Sequence, residues 1–418
     1  MINRRELGRL VGASVAGFAM GCGDDVVPAR PLAGAAVLEP SSSALLVSVW
    51  RANGGDVRVE VRTDGVRVRD VGISLGDGGT GAIDIEGLAP SRAYEIVVTG
   101  EHGARIGTYH ARTAPADDDP RPVRIAISAD VDCDPSWDSE LVDRMLAEEP
   151  ELYISLGDFP YTDNGPDVAM TVPAYRDRHA QLRIAPHGRR LLEGVGIRAI
   201  YDDHEYRNDW DARFAAVETS RYAAAMQVWD EFFPVRGARG EVRYRNWRWG
   251  RHLECFLLDT RRFRSANADD DTPLKTMLGP GQEAWLADAL ARSTATFKLV
   301  LTSVPLDFGE GNDHWAAFRT ARTRLYEAAR ATRGVVYVSA DQHWFAAHRH
   351  PGGQREFQVG PLARGVGTPG PAVAGVLARQ AQPNVAMLDV TADAVTLRAI
   401  GADGTVLHEE SLTLDDLR

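Results

Sequence analysis

Apolar and polar residues alternate with period two through much of the first quarter of the chain. Val57, Val59 and Val61 are separated by charged side chains, and Val66 and Val68 repeat the spacing. Leu45, Val47 and Val49 keep the same interval, interrupted by Leu46. Such alternation predicts antiparallel strands with one buried face. Asn53-Gly54-Gly55 and Asp64-Gly65 fall between the runs, where tight hairpin turns need residues that tolerate positive φ. A small all-β sandwich is therefore predicted over residues 31–115. It carries no cluster of ligand-type side chains, which makes it a structural module.

The texture changes after Ala-Pro-Ala-Asp-Asp-Asp-Pro-Arg-Pro, residues 114–122, a polar and proline-bounded stretch that reads as a linker. Continuous apolar runs come next, at 124–128, 152–156, 198–201, 253–258, 297–302 and 335–339. Amphipathic, helix-length segments lie among them at 138–149, 282–292 and 316–332. Buried strands alternating with helices predict an α/β domain with a central sheet over 122–418. Three short runs at 385–388, 395–400 and 405–412 predict a closing antiparallel meander.

The residues at the carboxyl ends of five of the six apolar runs carry the chemistry. The runs end in Ala129-Asp130-Val131-Asp132, Gly157-Asp158, Asp202-Asp203-His204-Glu205, Asp259-Thr260-Arg261 and Ala340-Asp341-Gln342-His343. Open α/β sheets bind ligands beyond the carboxyl ends of their strands. One aspartate there is usually a turn or a helix cap. Five such endings would gather mutually repelling carboxylates at one locus, and cations are the natural remedy. A carboxylate-rich set with few histidines suits hard ions rather than a thiolate zinc site. The phosphate loop G-x-x-x-x-G-K-[ST], the Cys-x-x-Cys pair and H-E-x-x-H are all absent.

Composition narrows the partners. Hydrophobic residues at 44% and charged residues at 25% are values of a folded globular chain. A net charge of −12 argues against nucleic acid, which needs a basic face. Residues 1–22 read as an export signal, with Arg4-Arg5 before a weakly apolar stretch of small residues ending at Cys22. The adjacent arginines suggest the twin-arginine route, and Ala-Met-Gly-Cys has the form of a lipoprotein cleavage box. Lipidation at Cys22 and ordinary cleavage both stay open. The expected location is periplasmic or cell-surface, with membrane contact only through that anchor. Cys133 and Cys255 remain, and their pairing is undetermined by sequence.

The order of these motifs resembles the metallophosphoesterase (calcineurin-like) superfamily, and within it the PhoD-type alkaline phosphatases and phosphodiesterases. The resemblance rests on Gly157-Asp158-Phe159-Pro160-Tyr161, Tyr201-Asp202-Asp203-His204-Glu205, Leu258-Asp259-Thr260-Arg261, Leu278-Gly279 with Gln282 and Trp285-Leu286, and Asp341-Gln342-His343. Gly87-Leu88-Ala89-Pro90 followed by Tyr94 likewise resembles the tyrosine corner of fibronectin III-like sandwiches. The implied fold is a two-sheet α/β sandwich behind that all-β domain. The implied activity is hydrolysis of small phosphate esters by hydroxide activated at a binuclear or larger metal centre.

Residue by residue, the resemblance implies that Asp158 bridges two metal ions and that Tyr161, Asp203, Asp341 and His343 are further ligands. His204 stands where a histidine meets the transferred phosphoryl group. The first strand supplies Asp130 where these enzymes usually place a cysteine, with Cys133 as the alternative. Iron(III) with calcium is the expected metal set, and Zn2+ or Mn2+ would also be compatible. Ser303-Val304-Pro305 stands where a ligand histidine is common, leaving Asp307 and His314 as substitutes. Arg261 is a candidate catalytic phosphate clamp or, alternatively, a structural partner of a neighbouring acid, while Asp202 and Glu205 orient the ligands. Trp247 and Trp249 are read as strand residues packing a face. Competing readings are a phospholipase-type hydrolase and a non-catalytic cell-surface binding protein with a structural metal site.

Overall fold

The computed structural model describes residues 32–417 apart from 77, 166–167, 239, 241 and 309–310. The predicted export signal, with Arg4, Arg5 and Cys22, lies outside the described residues. Two large sheets form the centre. The seven-stranded sheet runs in the order Arg245–Trp249, Leu253–Leu257, Phe297–Leu301, Val335–Ser339, Arg355–Gln358, Phe345–Arg349, Val376–Gln380. The nine-stranded sheet starts from the predicted meander, Val406–Thr413, Ala394–Gly401 and Asn384–Val390. It continues through Val123–Ser128, Tyr153–Ser155 and Ile197–Ala199. Its last three strands are Ala33–Leu38, Ala44–Arg51 and Thr80–Glu86.

The two sheets face each other across a core that includes Ile125, Ile127, Leu299, Leu301, Val338 and Leu388. Strands buried on both faces read as unbroken apolar runs, which is why these were conspicuous in sequence. Trp247 and Trp249 pack into the same core as strand residues, as expected. Helices Gly279–Arg292 and Arg319–Arg330 cover the outer face of the seven-stranded sheet. Helices Leu141–Ala147, Val172–Ile184, Pro186–Gly194 and Thr219–Phe232 pack a further core with Tyr153, Ile197 and Met387 on the other side of the nine-stranded sheet. The α/β two-sheet sandwich is thus present. No helix among the described residues is long and apolar enough to cross a membrane.

Residues 33–112 form two facing layers, but only one of them is a separate sheet. Val66–Leu75, Gly55–Thr63, Ala93–Thr99 and Arg105–Arg112 make a four-stranded sheet that shares a core with Val37, Leu45, Val47 and Val49. The opposite layer is the end of the nine-stranded sheet, where Leu38 pairs in parallel with Ile197. Leu46 and Trp50 point the other way, into the helix-covered core. Strand Ala44–Arg51 is therefore buried on both faces, which explains its imperfect alternation. The tyrosine corner is formed, since Tyr94 Oη accepts the Ala89 N–H at 2.9 Å. The 114–122 stretch is pinned rather than free: Ala114 N donates to Ser41 O, Arg251 N donates to Asp119 O, and Arg121 forks Glu151.

Candidate metal centre

The predicted strand ends converge. Asp130, Asp158, Asp341 and His343 all take positive φ, between 54° and 77°. Non-glycine residues rarely adopt that region, and its concentration where strands stop lets each backbone turn sharply and aim its side chain inward. Gly157, at φ 122°, sits so close to Asp202 that an added Cβ would lie 2.4 Å from Asp202 Cβ and 2.6 Å from its backbone nitrogen. Gly157→Ala is expected to cost at least about 2 kcal/mol, because strain and overlap act together. A urea unfolding midpoint unchanged from wild type would refute that close approach.

Four overlapping groups of side chains have ligand atoms within 4.8 Å of one another. They are Asp130–Asp158–His343, Asp158–Asp203–His204, Asp202–Asp203–Asp341 and Asp203–Asp209–Asp313. Asp158 belongs to the first two and Asp203 to the last three, so the site is a chain of carboxylates and not one ring. Tyr161 Oη joins the first group, 2.7 Å from His343 Nε2 and 3.2 Å from Asp130 Oδ1. His343 Nδ1 donates to the Gly365 carbonyl at 2.8 Å, which turns Nε2 toward Asp130 and Tyr161. Asp130 Oδ2 and Asp203 Oδ1 are buried without any hydrogen-bond donor among the described residues. Buried carboxylate oxygens rarely stay unpartnered, so these two fit a cation as the missing partner.

Electrostatics agree. Burial, reinforced by Asp203 and Asp130, pushes the Asp158 carboxyl well above the usual range. Burial likewise raises the Tyr161 phenol, with Asp158 and Asp130 adding to it. Cations placed among them would reverse both shifts and release protons on binding. For Asp203, burial opposes ionisation, but Arg261 and His204 outweigh it and hold the carboxyl below its usual value.

His204 lies at the end of the same segment, its Nδ1 donating to Asp163 Oδ1 at 2.6 Å. Burial works against its charge, yet Asp203 and Asp163 raise its pKa to about 9. An unfolded histidine titrates at about 6.5. Charge on His204 thus stabilises the metal-free fold fully below about pH 6.5, and that contribution is lost as pH rises through about 9. The stability gap between metal-free wild type and His204→Asn should accordingly narrow between about pH 6 and pH 10. A gap constant with pH would exclude the shift.

The remaining expected residues take varied places. Glu205 accepts the Phe159 and Asp202 N–H groups at 2.7 and 2.9 Å, tying two strand ends together, and burial raises its pKa to about 8. Cys133 lies outside the cluster, with Sγ 3.5 Å from Gln181 Oε1, and burial pushes its thiol up to about 11. Cys133 and Cys255 are both free and buried. The geometry thus brings Asp130, not Cys133, to Asp158.

Arg261 departs from a free phosphate clamp. It is fully buried, with Nε and Nη2 at 2.6 and 2.8 Å from the Asp202 carboxylate and Nη2 3.0 Å from Asp313. Its two-pronged face is committed to protein, because a buried carboxylate pair beside other acids demands a matching cation. Asp307 pairs with Arg322, and His314 contacts Gly311 O, so neither replaces the missing histidine. Asp313 comes from that loop instead. Gly72-Ile73-Ser74-Leu75-Gly76 spells G-x-S-x-G, but it runs along strand Val66–Leu75 and makes no strand-to-helix elbow.

Sequence reasoning missed Asp163, Asp209 and Asp313. Asp163 and Asp209 lie within five residues of Asp158 and His204 respectively, so proximity to a motif was their signal.

The two-sheet α/β sandwich thus carries a cluster of carboxylates and imidazoles at its strand ends. Residues 138–405 match the family model described as PhoD-like phosphatase, and the chain belongs to that family. It is 24% identical over 309 residues to alkaline phosphatase D of Bacillus subtilis (strain 168), covering 62% of this chain. That match spans only 52% of the relative's length. Among solved structures, PhoD superposes with a TM-score of 0.79 at 18% identity, covering 92% of this chain and 90% of that one. The purple acid phosphatase PPD1 from yellow lupin (Lupinus luteus) seeds gives 0.67 at 12% identity, covering 91% and 74%. Both show a shared fold.

Proposed function

We propose that the chain is a metal-dependent phosphoric ester hydrolase, an exported alkaline phosphatase or phosphodiesterase acting on small phosphate esters. One observation carries the reading: Asp158 is shared between two cation-sized ligand groups, and one of those groups contains His204. A purely structural cation site has no need of an imidazole.

Asp130, Asp158, Tyr161 and His343 would hold one ion, and Asp203, grouped with Asp158 on one side and with Asp202 and Asp341 on the other, would hold another; iron(III) with calcium suits this oxygen-rich set. Ions bound there would supply Lewis-acid charge and a strong nucleophile near neutral pH. The protein's own part is positional. Asp163 fixes the His204 ring by holding the proton on Nδ1, leaving Nε2 free to give its proton to the departing ester oxygen. Glu205 and the Arg261–Asp202 pair hold the loop that carries Asp203 and His204. Export, with lipidation at Cys22, belongs to the same reading and is supported by Arg4-Arg5 and Ala-Met-Gly-Cys.

The test is turnover of p-nitrophenyl phosphate and bis-p-nitrophenyl phosphate by purified protein, with and without chelator, alongside elemental analysis. Chelator-sensitive hydrolysis of either ester is expected. No turnover by protein shown to contain its metals would reject the hydrolase.

A further inference from the structure

The segment around Leu362–Gly365 is built into the centre without supplying a ligand. Asp132 N donates to Ala363 O and Ala363 N donates to Asp130 O, both at 3.0 Å, and Val131 bridges Ala363 in parallel. The Gly365 carbonyl orients His343. Between these two attachments stands Arg364. Its Cζ lies 4.4 Å from the Tyr161 ring centre and 5.5 Å from that of Trp137, and Nη1 is 2.8 Å from Asp132 Oδ2. Two rings and one carboxylate thus hold the guanidinium in place.

Arg364 differs from Arg261 in what it leaves open. The Arg261 side chain is 0% exposed and forked onto Asp202, whereas that of Arg364 is 23% exposed. Its Nη1 faces Asp132, and no hydrogen bond or ion pair of Nε or Nη2 is found among the described residues. His204 flanks the same tyrosine, its ring centre 4.3 Å from that of Tyr161. The Tyr161 phenol, itself beside Asp130 and His343, therefore has an imidazole and a guanidinium packed against its ring.

We infer that Arg364 is a substrate-binding residue whose free guanidinium edge takes non-bridging oxygens of the phosphoryl group, alongside His204. The inference rests on the phosphoesterase reading. Its chemistry is that of a planar fork matched to two phosphate oxygens, already immobilised by stacking so that little rotamer freedom is lost on binding.

Binding of inorganic phosphate, the product, tests this without requiring turnover. Isothermal titration of the purified, metal-containing protein should show the phosphate Kd rising about 10- to 100-fold in Arg364→Gln, the loss expected for a charge-assisted hydrogen bond. KM for p-nitrophenyl phosphate should rise more than kcat falls, with metal content unchanged. Asp132→Asn removes the tether and leaves the guanidinium, so it should keep phosphate affinity near wild type. Phosphate affinity unchanged in Arg364→Gln overturns the inference, and so does an Asp132→Asn variant that loses as much, since Arg364 would then act only as a strut. Should Arg364→Gln fail to fold, Arg364→Lys keeps charge without the fork, and unchanged phosphate affinity there overturns it equally. Wild type that binds phosphate but hydrolyses neither ester would sink the hydrolase and leave the Arg364 result to stand by its own measurement.

Discussion

An Arg261→Met variant is expected to lose about 3–5 kcal/mol of folding stability when its metals are stripped, the cost of breaking a buried ion pair from one side. The guanidinium lies within 4 Å of carboxylate oxygens of Asp202, Asp203, Asp313 and Asp341, and the side chain has no solvent exposure. Methionine fills much of the volume and supplies none of the charge, so four buried acids would face one another. Urea unfolding of chelator-treated protein measures the effect. Added calcium should restore part of it, since a cation bound only by the folded chain raises stability by mass action. A loss under about 1 kcal/mol, together with weakened phosphate binding, would return Arg261 to the role of clamp.

His204→Asn is expected to lower kcat by about 10²–10⁴, the range of a positioned general acid, with metal content unchanged. The loss should be larger for an alkyl phosphate than for p-nitrophenyl phosphate, whose leaving oxygen needs little protonation. Asp163→Asn should show a milder form of the same pattern, roughly 10- to 100-fold, because it only orients the ring. Equal losses with both leaving groups would remove the acid role from His204.

The legible parts of the fold were those where burial writes directly into residue type. The six apolar runs are strands because both faces of each are covered, and their register at the strand ends set where Asp130, Asp158, Asp203 and His343 emerge. Helix Val172–Ile184 was not legible, because its buried face includes His179 and Arg183 beside Tyr175 and Leu182, which breaks the apolar stripe. Sheet membership was not legible either. Nothing in Val37 or Leu38 announces Ile197 as a neighbour, since a parallel pairing joins segments far apart in sequence. The roles of Arg261 and Arg364 were hidden for a related reason. Whether a guanidinium is committed to protein or left for a ligand depends on which distant acid lies beside it, Asp202 in one case and Asp132 in the other.

The parallel seam at Leu38 and Ile197 has a bearing on how such a chain could be taken apart. Ile197–Ala199 is only three residues long, and it leads directly into Asp202, Asp203 and His204. Its flank on one side comes from Tyr153–Ser155 and on the other from residues of the N-terminal sandwich. Cutting at 115 would strip one flank from that short strand and leave its backbone groups open to pairing with other molecules. The amino-terminal module is consequently no detachable cassette. It is the outer wall of the segment that aims the histidine.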